Sequence, residues 1–139
     1  MKIILVGMYN KPHKTPLCGS TKTGKLLNRV QRQVNNMIPN IPFLRTNLYN
    51  TEHFPPSYEE KQTLAWEWYS RIQPDYDDII ILLGHEVHKN FITTGLTTSN
   101  HPHPASQRSH EQMNNYVFNM TKDIVRLVHE AQNEEYLVS

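Results

Sequence analysis

At 139 residues the chain is long enough to bury a core of its own without a disulfide or metal staple, and its single cysteine, Cys18, excludes an internal disulfide and a cysteine-built metal cluster. A formal net charge of +1 hides a division: Lys2, Lys11, Lys14, Lys22, Lys25, Arg29, Arg32 and Arg45 fall within residues 1–51 with no acid among them, while every acidic residue lies beyond. Such asymmetry points to one end of the molecule meeting phosphate, unless acidic helices fold back to neutralise it.

No charged-then-apolar leader and no run approaching about 20 apolar residues occurs, so neither secretion nor a membrane span is expected. With one cysteine in a reducing setting, a soluble cytoplasmic protein is the expectation.

Residues 2–6, Lys-Ile-Ile-Leu-Val, read as a buried strand because the apolar run does not alternate. Residues 8–20 contain Pro12, Pro16 and Gly19 and read as loop. A helix follows over 21–37, with Leu27, Val30, Val34 and Met37 at helical spacing and Pro39 beyond its end. Residues 42–48 form a second strand. Ser57 precedes Glu60 by three, the pattern of a capping box, and Leu64, Trp68 and Ile72 mark the buried stripe of the helix that ends at Pro74.

Residues 79–84, Ile-Ile-Ile-Leu-Leu-Gly, give the strongest strand signal and belong at the centre of the sheet. A short helix over 85–91 is followed by a Thr-rich stretch, 92–100, holding a fourth short strand. The last helix, 108–131, carries Met113, Val117, Met120, Ile124, Leu127 and Val128 on one face. Strands alternating with helices predict an α/β fold, a three-layer α/β/α sandwich around a central four-stranded, mainly parallel sheet. In such sheets ligands sit at the carboxyl ends of the strands. There the loop after Gly7, the strand end at Thr46-Asn47 and the segment His101-Pro102-His103-Pro104-Ala105-Ser106 converge.

Those segments resemble, in order and spacing, the uracil-DNA glycosylase superfamily. Gly7-Met8-Tyr9-Asn10 is similar to its first motif, and Pro16-Leu17-Cys18-Gly19 with Gly24 and Leu26-Leu27 to the proline-aromatic segment entering the first helix. Thr46-Asn47 is similar to the strand end that reads the base, Ile81-Leu82-Leu83-Gly84 to the central strand, and His101-Pro102-His103-Pro104 to the final HPSP-like motif. The resemblance covers nearly the whole chain and implies a single glycosylase-like domain over 1–139. It also departs from the family: Met8 and Tyr9 stand where an acid or Asn is usual, Leu17 where many members stack an aromatic ring, and Ala105 where duplex-acting members push a Leu wedge. The single cysteine excludes the iron–sulfur cluster of some members.

The resemblance implies an N-glycosidase acting on a pyrimidine or modified base. Its catalytic residues would be Asn10, holding a water, and His101, donating to the base as charge develops, while Gly7, Met8, Tyr9, Leu17, Thr46, Asn47, His103 and Ser106 would form the pocket. Asn47 has the donor and acceptor set that a base edge requires. Lys11, Lys14 and Lys22, with His13 and the start of the first helix, would hold phosphate. Each has a plain alternative: a solvated histidine, a turn-forming asparagine, a solvated basic loop.

Without the wedge, single-stranded nucleic acid is favoured over duplex, or a free nucleotide, because extruding a stacked base costs a few kcal/mol. No cofactor is implied, and the histidines lack the spacing of a metal site. Two other readings stay open. The absence of a carboxylate in the first motif fits a module that binds nucleotide or DNA without cutting. Gly19 to Lys25 matches GxxxxGK, yet Leu26 replaces the hydroxyl that a phosphate loop needs for magnesium.

Overall fold

The computed structural model of the chain describes residues 1–9, 15–93 and 95–138. Its elements follow as β1 (Ile3–Tyr9), α1 (Lys22–Met37), β2 (Phe43–Tyr49), α2 (Tyr58–Ile72), β3 (Ile79–Leu83), α3 (His85–Asn90), β4 (Thr97–His101), a single 3-10 turn (Pro104–Ser106) and α4 (His110–Val138). The four strands form one sheet in the order β2-β1-β3-β4, and every pairing is parallel. The fold is therefore α/β, with the sheet as the middle of three layers.

The unalternating strands explain the layering. Ile3 and Leu5 of β1 and Ile79, Ile81 and Leu83 of β3 face one core with α1 and α4, while Ile4, Val6, Ile80 and Leu82 face a second core with α2 and α3. A strand covered on both sides needs apolar residues at every position. Side chains of this size contribute about 1.5–3 kcal/mol each when fully buried, so both faces are held firmly.

The helix ends agree with their signals. Thr21 caps α1 by accepting from the Gly24 N–H at 3.0 Å, and Ser57 caps α2 by accepting from Glu60 N–H at 3.2 Å. At α4 the Ser109 hydroxyl accepts from Gln112 N–H at 3.0 Å, while the Gln112 side chain reaches back to Arg108 and Ser109 N–H. This reciprocal box starts the helix two residues later than the periodicity suggests. The strand β1 runs three residues beyond the expected end, so Met8 and Tyr9 belong to its carboxyl end rather than to the loop. Among the described residues no helix is long and apolar enough to cross a membrane.

At the opposite, amino-terminal edge of the sheet Asp78 is 1 % exposed and receives the Lys2 ammonium at 2.8 Å and the Lys2 and Asp75 backbone N–H groups at 2.9 and 2.8 Å. Burial pushes its carboxyl up, but these hydrogen bonds and the Lys2 charge outweigh burial and hold it below the ordinary 3.8. A depressed native value stabilises the fold above the unfolded-chain pKa and loses that stabilisation as pH falls through the native one. Asp78→Asn is accordingly expected to lower stability by about 2 kcal/mol at neutral pH and to flatten the acid limb of melting temperature against pH. Parallel wild-type and variant curves below pH of about 4 would show that Asp78 is not the linked group.

Candidate functional site

The chain leaves β1 toward β2 on one side and returns past it to β3 on the other, so the sheet switches direction between β1 and β3. At the carboxyl end of these strands opens a crevice of about 490 Å3. Met8 and Tyr9 of β1, Asn47 of β2 and Leu17 of the connecting loop line it, and His103 and Ala105 close it from the turn after β4.

Gly7 adjoins it, one residue before Met8 and opposite Asn47 in the β1–β2 register. A Cβ at Gly7 would stand 2.9 Å from Leu17 Cδ2 and 3.0 Å from Asn47 Oδ1, so the missing side chain is what lets the two close over the strand end. Leu17 has φ of 51°, a left-handed conformation that costs a branched residue about 1–3 kcal/mol unless its surroundings enforce it. Arg45, reaching up from β2, supplies that enforcement: it donates to the Leu17 carbonyl at 2.8 Å and to Asn28 Oδ1 on α1 at 2.6 Å. Burial draws the Arg45 pKa down from its ordinary value, yet a guanidinium stays charged at any physiological pH.

The start of α1 forms the crevice's next wall through Thr21 and Thr23. The Thr21 hydroxyl donates to the Cys18 carbonyl at 2.7 Å and the Thr21 N–H donates to the same oxygen at 3.0 Å, which pins the loop to the helix. Opposite, His103 packs over Gly84 at the end of β3, and its Nδ1 accepts from the Ala105 N–H at 3.1 Å. That bond requires a lone pair on Nδ1, so the neutral ring carries its proton on Nε2, as a donor. Tyr9 meets Phe54 edge-on at 5.9 Å, and Phe54, 43 % exposed, carries the Lys61 ammonium 4.8 Å above its ring.

The residues singled out in the sequence separate into groups. Gly7, Met8, Tyr9, Leu17, Asn47 and His103 come together at the crevice. Asn10, Lys11, His13 and Lys14 lie outside the described residues. Thr46 does not reach the crevice: strand alternation turns it to the α2 side, where its hydroxyl donates to the Leu5 carbonyl and accepts from Trp68 Nε1, both at 3.0 Å. Ser106 is exposed and bonds the His103 carbonyl. Lys22 lines a neighbouring groove instead.

His101 is not among the residues lining the crevice. It shares a strand face with Ser99, and its Nε2 lies 2.8 Å from Asp123 Oδ2 on α4, a carboxylate that Ser99 and Arg126 also engage. Burial pushes Asp123 up, but the three hydrogen bonds and the His101 charge leave it below its ordinary value, so it is an anion at neutral pH. Ser99 bonds the carboxylate and not the imidazole, so the trio is not arranged as a nucleophile with its base.

Arg45, Thr15 and Cys18 were not anticipated as site residues, whereas the helix start at Thr21 and Thr23 was, as a place to hold phosphate. Arg45 carried a signal, the one charge in a strand of otherwise uncharged residues. Among the described residues no Asp or Glu lines the crevice, and Glu86, beyond Tyr49, is taken up by Lys61 at 2.7 Å and the Tyr49 hydroxyl at 3.2 Å. The carboxylates of Asp75, Asp77 and Asp78 lie within 4.8 Å of one another, but at the far edge of the sheet, with Asp78 already engaged by Lys2. No family model, curated protein or solved structure matches the chain.

Gly24 tests how tightly the loop is fixed. Glycine inside a helix costs about 1 kcal/mol relative to alanine, yet here a Cβ would fall 1.7 Å from the Cys18 carbonyl oxygen. Gly24→Ala should therefore destabilise, by about 3 kcal/mol or more, where the same change in an open helix stabilises. A melting temperature equal to or above that of wild type would mean that the loop moves aside freely.

Proposed function

We propose that the crevice binds a pyrimidine or modified base of a single-stranded nucleic acid or nucleotide and hydrolyses its N-glycosidic bond, in the manner of the uracil-DNA glycosylase superfamily that the strand-end motifs resemble. The observation that carries this reading is the meeting of Met8-Tyr9, Leu17, Asn47 and His103, drawn from four separate segments, in one crevice at the switch point of the sheet. The base would lie beside Tyr9, with its polar edge against the Asn47 amide.

Breaking the bond from sugar carbon to base nitrogen leaves an oxocarbenium-like sugar and an anionic base. A neutral imidazole with its proton on Nε2 is suited to donate to the base oxygen as that charge develops, so the donor role passes from His101 to His103. A water then adds to the sugar carbon and its proton goes to solvent. With no carboxylate among the described residues that line the crevice, the ~10²–10⁴-fold contribution of a general base is missing, and turnover is slow.

That same feature favours a second reading, in which the crevice binds the base without cutting. The two separate when the protein is incubated with uracil-bearing single-stranded DNA, the matching duplex and free deoxyuridine, and released base is followed by chromatography. Slow release from the single strand, faster than from duplex, is the expected outcome, and His103→Ala should lower it by about 10²-fold while the protein stays folded, with only the small loss of melting temperature that a missing cap brings. Binding without any release leaves the second reading standing, and an unchanged rate in the variant removes His103 from the reaction.

A further inference from the structure

The helix α1 carries Lys22, Lys25, Arg29 and Arg32 and no acid. Two of these cations stand in its first turn, where the helix macrodipole is already positive, an arrangement that a bound anion relieves. Among the described residues none of the four forms an ion pair, and Arg29 bonds only the neutral Asn114 side chain, at 2.8 Å. Although α4 of the acidic half packs on α1, no Asp or Glu among the described residues pairs with these cations.

Beside α1 runs a groove in two stretches. The first, about 310 Å3, lies between Lys22, Lys25 and Arg29 on one side and Pro104 and Met113 on the other. The second, about 530 Å3, shares Arg29 and continues along α4 past Phe118 and Lys122 to Met37. No carboxylate lines either stretch among the described residues. Phe118 and Met37 are 65 % and 62 % exposed there, large apolar side chains that ordinarily seek cover. The groove begins at the rim of the crevice, since Lys22 sits between Thr21 and Thr23 and Pro104 follows His103.

We infer that this groove is a track for single-stranded nucleic acid, the continuation of the strand whose base enters the crevice; the inference builds on the base-binding reading above. Lys22, Lys25, Arg29 and Lys122 hold successive phosphates, and Phe118 and Met113 offer apolar faces for bases. A row of cations beside an aromatic platform is how sequence-tolerant single-strand binders work. The 16 residues of α1 span about 24 Å, room for about four nucleotides, the lower end of such sites. The substrate is then a strand rather than a free nucleotide.

The test is fluorescence anisotropy with labelled oligothymidylate of about 12 nucleotides, titrated across a range of salt. Thymidylate offers phosphates and stackable bases without asking for base release. Each lost phosphate contact costs about fourfold at about 0.15 M salt, so Lys25→Ala combined with Arg29→Ala should weaken binding by about 15-fold and lower the salt slope by about 1.4. Lys89→Ala on α3 should change neither, and all variants should melt as wild type does. Phe118→Ala should weaken binding without altering the slope.

If wild type fails to bind the oligomer, or the double variant binds as well as wild type, the groove is not a nucleic-acid track, and a partner-protein helix becomes its better occupant. These outcomes are independent of the glycosidase reading. Groove-dependent binding without base release keeps the track and removes the enzyme, whereas release from free deoxyuridine without oligomer binding does the reverse.

Discussion

One guanidinium holds the working end of this molecule in shape. Arg45 stands on β2 beneath the loop, and its donors reach the Leu17 carbonyl and the Asn28 side chain, so strand, loop and first helix share one anchor. Leu17 would leave its left-handed conformation without that bond, and the wall of the crevice would go with it. Asn28 extends the anchor by donating to the Gly19 carbonyl, at 3.3 Å. A charge placed under a loop in this way is expensive to desolvate and is retained where geometry matters more than stability.

His101 and His103 show how the pleat and the turn after it send neighbouring side chains to different places. His101 and His103 are two residues apart, but the first ends a strand and inherits its pleat, which turns it to α4 and Asp123. The second follows Pro102 and caps the 3-10 turn, which brings it over Gly84 and into the crevice wall. Tyr116 keeps the connection short by donating its hydroxyl to the Pro102 carbonyl at 2.7 Å. Asp123 on α4 thus fastens the strand through His101, while His103 stands in the crevice wall.

The layers and the parallel sheet followed from features that are local in sequence: unalternating apolar runs, Ser57 with Glu60, and helical spacing between Leu27 and Val34. Boundaries failed where a longer-range pairing overrode a local signal. Met8 and Tyr9 look like loop because prolines follow, but Tyr9 pairs with Tyr49 across the β1–β2 ladder and extends the strand. At the crevice, Gly7, Leu17 and Asn47 were legible because strand ends converge in any sheet of this kind. Which way Thr46 and His101 point was not, since that depends on the pleat register and on Asp123, more than 20 residues along the chain. Arg45 was visible as an oddity, but its partners on the loop and α1 are tertiary.

The order β2-β1-β3-β4 also governs how the chain reaches this structure. Ile3 of β1 must find Phe43 on one side and Ile79 on the other, and both partners are parallel, so neither can be delivered by a tight turn. Loop closure over about 40 and 76 residues has to precede any gain from the central ladder, which places the protein among slow-folding, non-local topologies. Until β3 emerges from synthesis, the apolar strand β1 has one edge unpaired. The first strand to be made is therefore among the last to be secured, and the interval before β3 arrives is when this protein is most exposed to wrong pairing.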